Sequence, residues 1–371
     1  MKKKICRLCL LTTACLVLIL FSFKKSDNKP ALFNPTYSLW YDQPAKVWQE
    51  ALPVGNGRLG AMIFGRVNKE RLQLNDITIW SGQPEPTTDI PDAYKALPEI
   101  RKAIFEGNFQ EAQRLSGLYM LANEEPRVDV YKSKYFGSYQ ELGSLNIDFG
   151  IDSTQVTGYR RWLDIDKAIA GVEFNSGDNT FTREIFSSAV NGLIVVKLKS
   201  AKKGKMNFST RLTRPASSKT VFEAPNTLIV TGNTDNKGHK GNCDYEVRVS
   251  VITKKGIVSG EGDKLSIKDA DEALILITCG TSYIRDFDKN FKTAVPHDAI
   301  VGIIKKASAK PYETIKKDHI ADYQKFFRRV SFDLGQTEAS KATTVDRLSQ
   351  FNKGVNDPGL LTLFYQYGRF H

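Results

Sequence analysis

LWYDQPAKVWQEALPVGNGRLGAMIFGRVNKERLQLNDITIWSG, residues 39–82, is the stretch of this chain that decides its fold. A glycine-punctuated turn at Gly55–Gly60 precedes an apolar strand at Ala61–Phe64. Over Arg71–Leu74 the polar and leucine side chains alternate, which is typical of a strand with one buried face. The stretch therefore predicts short strands that share a core.

β-rich segments continue from Ser138 to Tyr283, separated by turn signals such as Asn191-Gly192 and Lys255-Gly256. We predict strands at Ser144–Phe149, Ala168–Asn175, Thr180–Ser188, Leu193–Lys199, Met206–Leu212, Thr227–Thr231, Tyr245–Ile252 and Ala273–Cys279. The segment Tyr245–Ile252 is further expected to form a meander with Ile257–Val258 and Leu265–Ile267. Many short strands with tight turns favour a mainly β fold built as a large antiparallel β-sandwich.

Helical periodicity interrupts the strands once and replaces them after Tyr283. Ile90–Gly107 and Phe109–Leu121 predict an inserted helical hairpin, with Gly107 ending its first helix. The later helices are predicted at Phe291–Ala307, Pro311–Val330, Arg347–Asn352 and Leu360–Phe370, with a polar linker at 334–345.

The 371 residues have a formal net charge of +12, from 53 Lys or Arg against 41 Asp or Glu. Seven of the basic residues and one acidic residue lie in the first 30 positions, so the excess over the remaining chain is mild. Met1–Phe23 joins a lysine-rich start to the apolar run Leu8–Phe23, which predicts a signal peptide or membrane anchor. We expect an exported protein of the periplasm or cell surface that meets a membrane only through this leader.

Other partners and cofactors have weak support in the sequence. No basic stripe is interleaved with aromatic residues, which argues against nucleic acid as a partner. The four histidines are scattered and no metal-ligand spacing occurs, so we predict no cofactor and no metal site, and we expect His319 to be a packing residue. Outside the leader only Cys243 and Cys279 remain, and we interpret them as two small buried residues, the alternative being one disulfide between them, which export would permit.

The stretch 39–82 resembles the amino-terminal domain of glycoside hydrolase family 95, the inverting α-L-fucosidases. The resemblance covers nearly everything after residue 35, in the family's order. It is carried further by Tyr139–Gly143, Tyr159–Asp164, Thr182–Phe186, His319–Gln324 and Phe364–Arg369.

The resemblance implies an architecture as well as an activity. It implies a β-sandwich, then linker helices, then an (α/α)6 barrel whose opening helix resembles Asp357–Arg369. We expect the domains to be a signal peptide or anchor (1–23), a linker (24–36), the sandwich (37–285), linker helices (286–333), and a polar linker with the first barrel helix (334–371).

The implied reaction is hydrolysis of terminal α-linked L-fucose with inversion and without a cofactor. The acid and base that inversion requires are expected in the barrel, beyond His371, so no catalytic residue is assigned in this chain. Glu50, Asp76 and Glu85 are interpreted as solvated or hydrogen-bonded structural carboxylates. The expected partners are a fucosylated glycan and the missing catalytic barrel.

A functional interpretation of the glycine loop follows from related sandwich-plus-barrel glycosidases, which bring such a loop near the sugar. Asn56, Arg58 and Trp80 would then border the sugar site. The alternative is a tight strand connection in which Arg58 pairs with a carboxylate. Trp40 and Trp48 have the same two interpretations, as sugar contacts or buried sandwich residues.

Two other functions fit the same residues. The chain would be a non-catalytic glycan-binding or scaffolding sandwich if no barrel accompanies it. The other alternative is a related enzyme that acts on L-galactose, which differs from L-fucose by one hydroxyl. The pocket groups that discriminate between the two sugars are expected outside the residues of this chain.

Overall fold

The computed structural model describes residues 33–82, 90–121, 137–215, 218–236 and 239–370. The strands of this part of the chain form two antiparallel sheets. In chain order they are β1 (Ser38–Tyr41), β2 (Leu52–Gly55), β3 (Leu59–Ile63), β4 (Lys69–Asp76), β5 (Gly143–Asp148), β6 (Val156–Asp164), β7 (Ile169–Ser176), β8 (Asn179–Ser188), β9 (Leu193–Ser200), β10 (Met206–Thr213), β11 (Ser218–Glu223), β12 (Thr227–Asn236), β13 (His239–Lys254), β14 (Ile257–Glu261), β15 (Lys264–Ala270) and β16 (Glu272–Thr281).

The larger sheet has nine strands in the order β1-β6-β7-β8-β9-β16-β13-β12-β11. The smaller sheet has seven, in the order β14-β15-β10-β5-β4-β3-β2. Their inner faces meet in one hydrophobic core, to which alternate residues such as Leu72, Leu145 and Val249 contribute. Because side chains on a strand alternate between its two faces, the polar residues that precede and follow these three along the strand lie on the outer faces. The predicted mainly β antiparallel sandwich is confirmed.

Six α-helices accompany the sheets in the described ranges: α1 (Leu97–Phe105), α2 (Phe109–Tyr119), α3 (His297–Ser308), α4 (Tyr312–Phe327), α5 (Thr344–Asn352) and α6 (Pro358–Phe370). The inserted hairpin is confirmed, because α1 and α2 lie between β4 and β5 and pack on each other. Gly107, the second residue after the end of α1, takes a φ of 72°, where a residue with a Cβ would be strained. No described helix is long and apolar enough to span a bilayer.

The helices α3 and α4 cover the outer face of the nine-stranded sheet. Leu274 and Leu276 on β16 point away from the sandwich core and form a second apolar cluster with Ile304 and Ile315. Since their neighbours Ile275 and Ile277 belong to the first core, β16 is buried on both faces. The molecule is therefore layered, with a helical layer on one side of the sandwich.

The predicted meander is wrong. The strand β13 belongs to the nine-stranded sheet, whereas β14 and β15 pair in the smaller one. Lys255 and Gly256 connect β13 to β14. Both take positive φ, 57° and 75°, and they turn the chain from one sheet to the other.

Candidate functional site

The loop that joins β2 to β3 is a tight turn organised by one asparagine. The Asn56 carboxamide oxygen accepts hydrogen bonds from the backbone amides of Arg58 (3.0 Å) and Leu59 (2.7 Å). Of the glycines in this loop, Gly57 alone takes positive φ, at 85°, and the space around it is open. Asn56 is the kind of residue that mimics a backbone turn with its side chain. Its amide nitrogen donates to the Ser188 carbonyl (3.1 Å), which fixes the loop to the opposite sheet.

Arg58 joins the two sheets at the same end of the sandwich. Its guanidinium donates to the Asp76 carboxylate (2.8 Å) and the Cys279 carbonyl (2.7 Å). The Arg58 side chain is 38% exposed, whereas Asp76 is 1% exposed. A buried carboxylate without this partner would be costly, so the ion pair is structural. The carboxylate pairing foreseen as one alternative from the sequence is present.

Asp76 has further partners that account for its second oxygen. That oxygen accepts hydrogen bonds from the backbone amide (3.0 Å) and hydroxyl (2.6 Å) of Thr78. The Thr78 hydroxyl in turn lies 2.6 Å from the Thr281 hydroxyl on β16. Asp76 is thus a hydrogen-bonded structural carboxylate, as expected from the sequence.

Glu50 and Glu85 are the other two carboxylates that the sequence singles out together with Asp76, and neither is seen beside Arg58. Glu50 accepts a hydrogen bond from the Lys46 amide (2.7 Å), which lowers the Glu50 pKa from its usual value. Glu85 lies outside the described residues. Within those residues no cluster of three or more His, Cys, Asp or Glu side chains could hold a metal ion.

Trp80 lies beyond the Arg58–Asp76 pair on an exposed aromatic patch. The indole is 51% exposed, donates to the Ile77 carbonyl (3.1 Å), and packs at 5.4 Å between ring centres on Tyr139. The Tyr139 hydroxyl donates to the Asp76 carbonyl at 3.3 Å, and burial raises the Tyr139 pKa. The two rings present a surface on which a sugar could stack.

A cleft of about 580 Å³ lies on the other side of the loop, between the smaller sheet and α4. Trp48, Asn56 and Asn75 line it from the sandwich. His319, Asp322 and Phe326 line it from the helix. Trp48 is 50% exposed, and Phe326 is also exposed, so the cleft has aromatic walls and polar amide and carboxylate groups. This composition is typical of a ligand site.

His319 is the buried member of this wall. Its Nε2 lies 3.0 Å from the Lys167 carbonyl and 3.2 Å from the Ala168 carbonyl, and its ring stacks on Phe186 at 4.6 Å. Burial lowers the His319 pKa, with the carbonyl contacts opposing. Two carbonyls at Nε2 require a proton on that nitrogen, so the neutral ring is held in one tautomer. Its main role is packing, as predicted.

Two family models match consecutive parts of the chain. Residues 39–286 match the glycosyl hydrolase family 65, N-terminal domain, and residues 311–371 match the glycosyl hydrolase family 95 catalytic domain. The protein named alpha-L-fucosidase 2 of Arabidopsis thaliana is 31% identical over 363 residues, covering 90% of this chain and 41% of that protein. The chain belongs to glycoside hydrolase family 95.

A second relative extends the same comparison. The probable alpha-fucosidase A of Aspergillus niger is 29% identical over 360 residues, covering 91% of this chain and 43% of that protein. This family 95 chain thus spans less than half the length of the curated relatives it matches. Among solved structures, a putative kojibiose phosphorylase from human microbiome covers 79% of the chain at 10% identity, with a TM-score of 0.43 and 38% of its own length matched.

The family 95 chain brings only part of the predicted site together. Asn56 lines the cleft, whereas Arg58 and Trp80 lie outside its lining. Asn75 and Asp322, which do line it, were not singled out from the sequence, although both lie in segments that carry the family resemblance. Trp48, one of the two tryptophans interpreted as sugar contacts or buried residues, is half-exposed and lines the cleft.

Proposed function

We propose that this family 95 chain is the sandwich-containing part of an inverting α-L-fucosidase, which removes terminal α-L-fucose from glycans. The names of the relatives support a fucosidase-like glycoside hydrolase. We propose that the domains are divided as the sequence predicted, with the sandwich at 37–285 and linker helices at 286–333. The helix α6 would open the barrel.

The cleft beside the glycine turn is the observation that carries this proposal. One wall is the sandwich loop with Asn56, and the other is α4, which lies within the segment that matches the family 95 catalytic domain. A sugar in the cleft would stack on Trp48 and find hydrogen-bond partners in Asn75 and Asp322. We propose that Arg58 and Trp80 border the site from outside the cleft, where Arg58 acts by fixing the loop.

The chemistry of inversion sets what this chain would need from a partner. An acid must protonate the leaving oxygen while a base, roughly 6.5–9.5 Å away, activates water on the opposite face of the sugar. We propose that both groups come from the remainder of a catalytic barrel. The chain by itself would then bind a fucosylated glycan without cleaving it.

Two alternatives share this cleft and differ in outcome. A glycan-binding or scaffolding module would hold a sugar between the aromatic walls of the cleft without catalysing a reaction. An enzyme for L-galactose would have a pocket that accepts one additional hydroxyl. We also propose export through the leader at 1–23, with the protein in the periplasm or at the cell surface.

The experiment is to incubate the purified 371-residue chain with 2′-fucosyllactose, measuring free L-fucose and, separately, binding by calorimetry. Lactose, which lacks the fucose, is the ligand control. Trp48→Ala removes the stacking wall, and Phe105→Ala removes an exposed ring of the hairpin as a matched control.

We expect no fucose release, binding of fucosyllactose over lactose, and loss of that binding in Trp48→Ala alone. Release at an enzyme-like rate would mean that the acid and base lie in this chain. Equal binding of both sugars, or none, would overturn the sugar site.

A further inference from the structure

The outer face of the smaller sheet carries a second groove, of about 280 Å³, away from the glycine turn. Lys69, Arg211 and Lys264 line it from the strands β4, β10 and β15. The register places Lys69 opposite Asp148 and Arg211 opposite Asn146, so β5 runs between the first two cations. The three cations lie on the face of the sheet turned away from the core. Each is followed or preceded along its strand by a buried residue, namely Glu70, Thr210 or Leu265.

None of the residues that the structure describes neutralises the three cations. Within the described residues none of them makes an ion pair or a side-chain hydrogen bond, unlike the nearby Arg71, which donates to the Ser144 hydroxyl at 3.0 Å. Two carboxylates line the groove. Glu70 is buried and paired with Arg183 (2.7 Å), and one Asp148 oxygen accepts a hydrogen bond from the Gly150 amide (3.1 Å).

Positive charge is therefore in excess in this groove. Like charges on adjacent strands repel one another. An anion bound among them would relieve that repulsion, and an arginine guanidinium can hold a carboxylate or a sulfate with two parallel hydrogen bonds. The three cations converge on a volume just below the roughly 300–1,000 Å³ of drug-sized ligand sites. One charged sugar unit is a suitable occupant.

We propose that this groove binds an anionic glycan through a carboxylate or sulfate group on one sugar unit. Arg211 would grip the anionic group, and Lys69 and Lys264 would flank it. Ser209 supplies a hydroxyl and Asn146 a carboxamide oxygen for the sugar hydroxyls. Only the class of ligand, a glycan, rests on the proposed function. The groove has no aromatic side chain among its lining residues, which disfavours single-stranded nucleic acid, whose bases stack on aromatic rings.

The test is affinity electrophoresis of the full 371-residue chain in gels that contain polygalacturonate, chondroitin sulfate or neutral dextran. The groove variant carries Lys69→Gln, Arg211→Gln and Lys264→Gln together. The matched control carries Lys219→Gln, Lys317→Gln and Lys353→Gln, exposed lysines elsewhere on the chain, so both lose the same charge. Thermal unfolding verifies that each variant is folded.

We expect retardation by at least one polyanion and none by dextran. The groove variant should bind about tenfold more weakly, the sum of three modest surface contacts, while the control binds as the parent does. Arg211→Lys, which keeps the charge but loses the double hydrogen bond, should weaken binding to a smaller extent. Both polyanions carry carboxylates and only chondroitin sulfate carries sulfates. Tighter binding of chondroitin sulfate therefore identifies the sulfate as the group bound, and similar or tighter binding of polygalacturonate identifies the carboxylate.

Three results would overturn the inference. They are the absence of binding to either polyanion, equal weakening in both triple variants, and groove-dependent binding of a single-stranded oligonucleotide as tight as that of the glycans. Fucosyllactose binding should be unchanged in the groove variant. Fucosyllactose binding therefore tests the proposed function of the cleft, and polyanion binding tests the groove independently.

Discussion

Glu70, on β4 of the smaller sheet, is a buried carboxylate that accepts hydrogen bonds from backbone amides and also pairs with an arginine. One oxygen accepts hydrogen bonds from the amides of Gly65 (2.9 Å) and Arg71 (3.0 Å). The other accepts from Arg183 at 2.7 Å, and both side chains of this ion pair are nearly inaccessible to solvent. Burial raises the Glu70 pKa and lowers that of Arg183, and each charge opposes the shift of the other.

Removing the Glu70 charge should destabilise the sandwich strongly. In Glu70→Gln the Arg183 guanidinium stays buried without a counter-charge, a situation that costs about 3–5 kcal/mol of unfolding free energy. Urea denaturation measures this. Glu173→Gln is the control, because Glu173 pairs with Arg160 where both side chains are partly exposed, and its loss should cost less than about 1 kcal/mol. Similar midpoints for the two variants would refute a special role for the buried pair.

His319 should make stability depend on pH. Burial lowers its folded pKa below the unfolded value of about 6.5, so the unfolded chain binds a proton first as pH falls. The stabilisation is complete above pH 6.5 and is lost as the pH falls towards the folded pKa, by up to about 1.4 kcal/mol per pH unit. Asp322 opposes the shift and reduces its size.

Urea denaturation midpoints of the parent and of His319→Gln are measured between pH 8 and pH 5. The difference between the two proteins at each pH isolates the contribution of His319, since all other groups titrate in both. The parent should lose stability faster than the variant below pH 6.5. Parallel curves would show that His319 is protonated equally in both states.

At the scale of single residues, the sequence predicted the kind of group that pairs with Arg58 but not which residues provide it. A carboxylate partner for Arg58 was one of two interpretations, and Asp76 provides it from β4. The Cys279 and Gly192 carbonyls also accept from Arg58, yet they lie more than 130 positions away. Such partners follow from the packing of the two sheets, and no local pattern encodes them.

The strand β16 shows how an element joins two layers. Its run of apolar residues predicted a strand, and continuous runs are typical of strands buried on both faces. The sequence could not indicate which helices cover the second face. Contacts of Leu276 with the cluster that includes Ile304 and Ile315 now identify α3 and α4 as that cover.

Truncation at this helix-facing position should therefore be costly. Leu276→Ala should reduce the unfolding free energy by about 2–5 kcal/mol, because the lost side chain leaves a cavity between sheet and helices. Val221→Ala on the edge strand β11, where the side chain is exposed, should change it by no more than about 0.5 kcal/mol. Chemical denaturation compares them. A small effect at Leu276 would mean that the helical layer is not firmly docked.

Edge strands and crossings were the elements that escaped prediction. The strand β11 pairs only with β12 and buries little of its surface, so its sequence carries no alternating apolar signal. The crossing from β13 to β14 was missed because two consecutive positive-φ residues, Lys255 and Gly256, resemble a hairpin turn in sequence. Chain direction after such a turn depends on tertiary packing.

Over the whole molecule the apolar surface is unevenly distributed. The sandwich and the layer of α3 and α4 bury their apolar faces, whereas α5 and α6 leave large side chains in solvent. On α5 these are Val345 and Leu348, and on α6 they are Leu361, Phe364 and Tyr365, with Phe364 75% exposed. Exposed apolar groups on neighbouring helices promote association when they form a contiguous surface.

We therefore expect the 371-residue chain to self-associate or precipitate through α5 and α6. Size-exclusion chromatography with light scattering at low salt should show species larger than one chain, and dilution should favour the monomer. Leu348→Lys combined with Phe364→Lys should shift the chain to the monomer, because two charges on the surface oppose its burial against another copy. Val190→Lys, at an exposed valine between β8 and β9, is the matched control and should leave the association unchanged. A sharp monomer peak for the parent chain would mean that these side chains are tolerated in water, and the case for a partner domain on this surface would be lost with it.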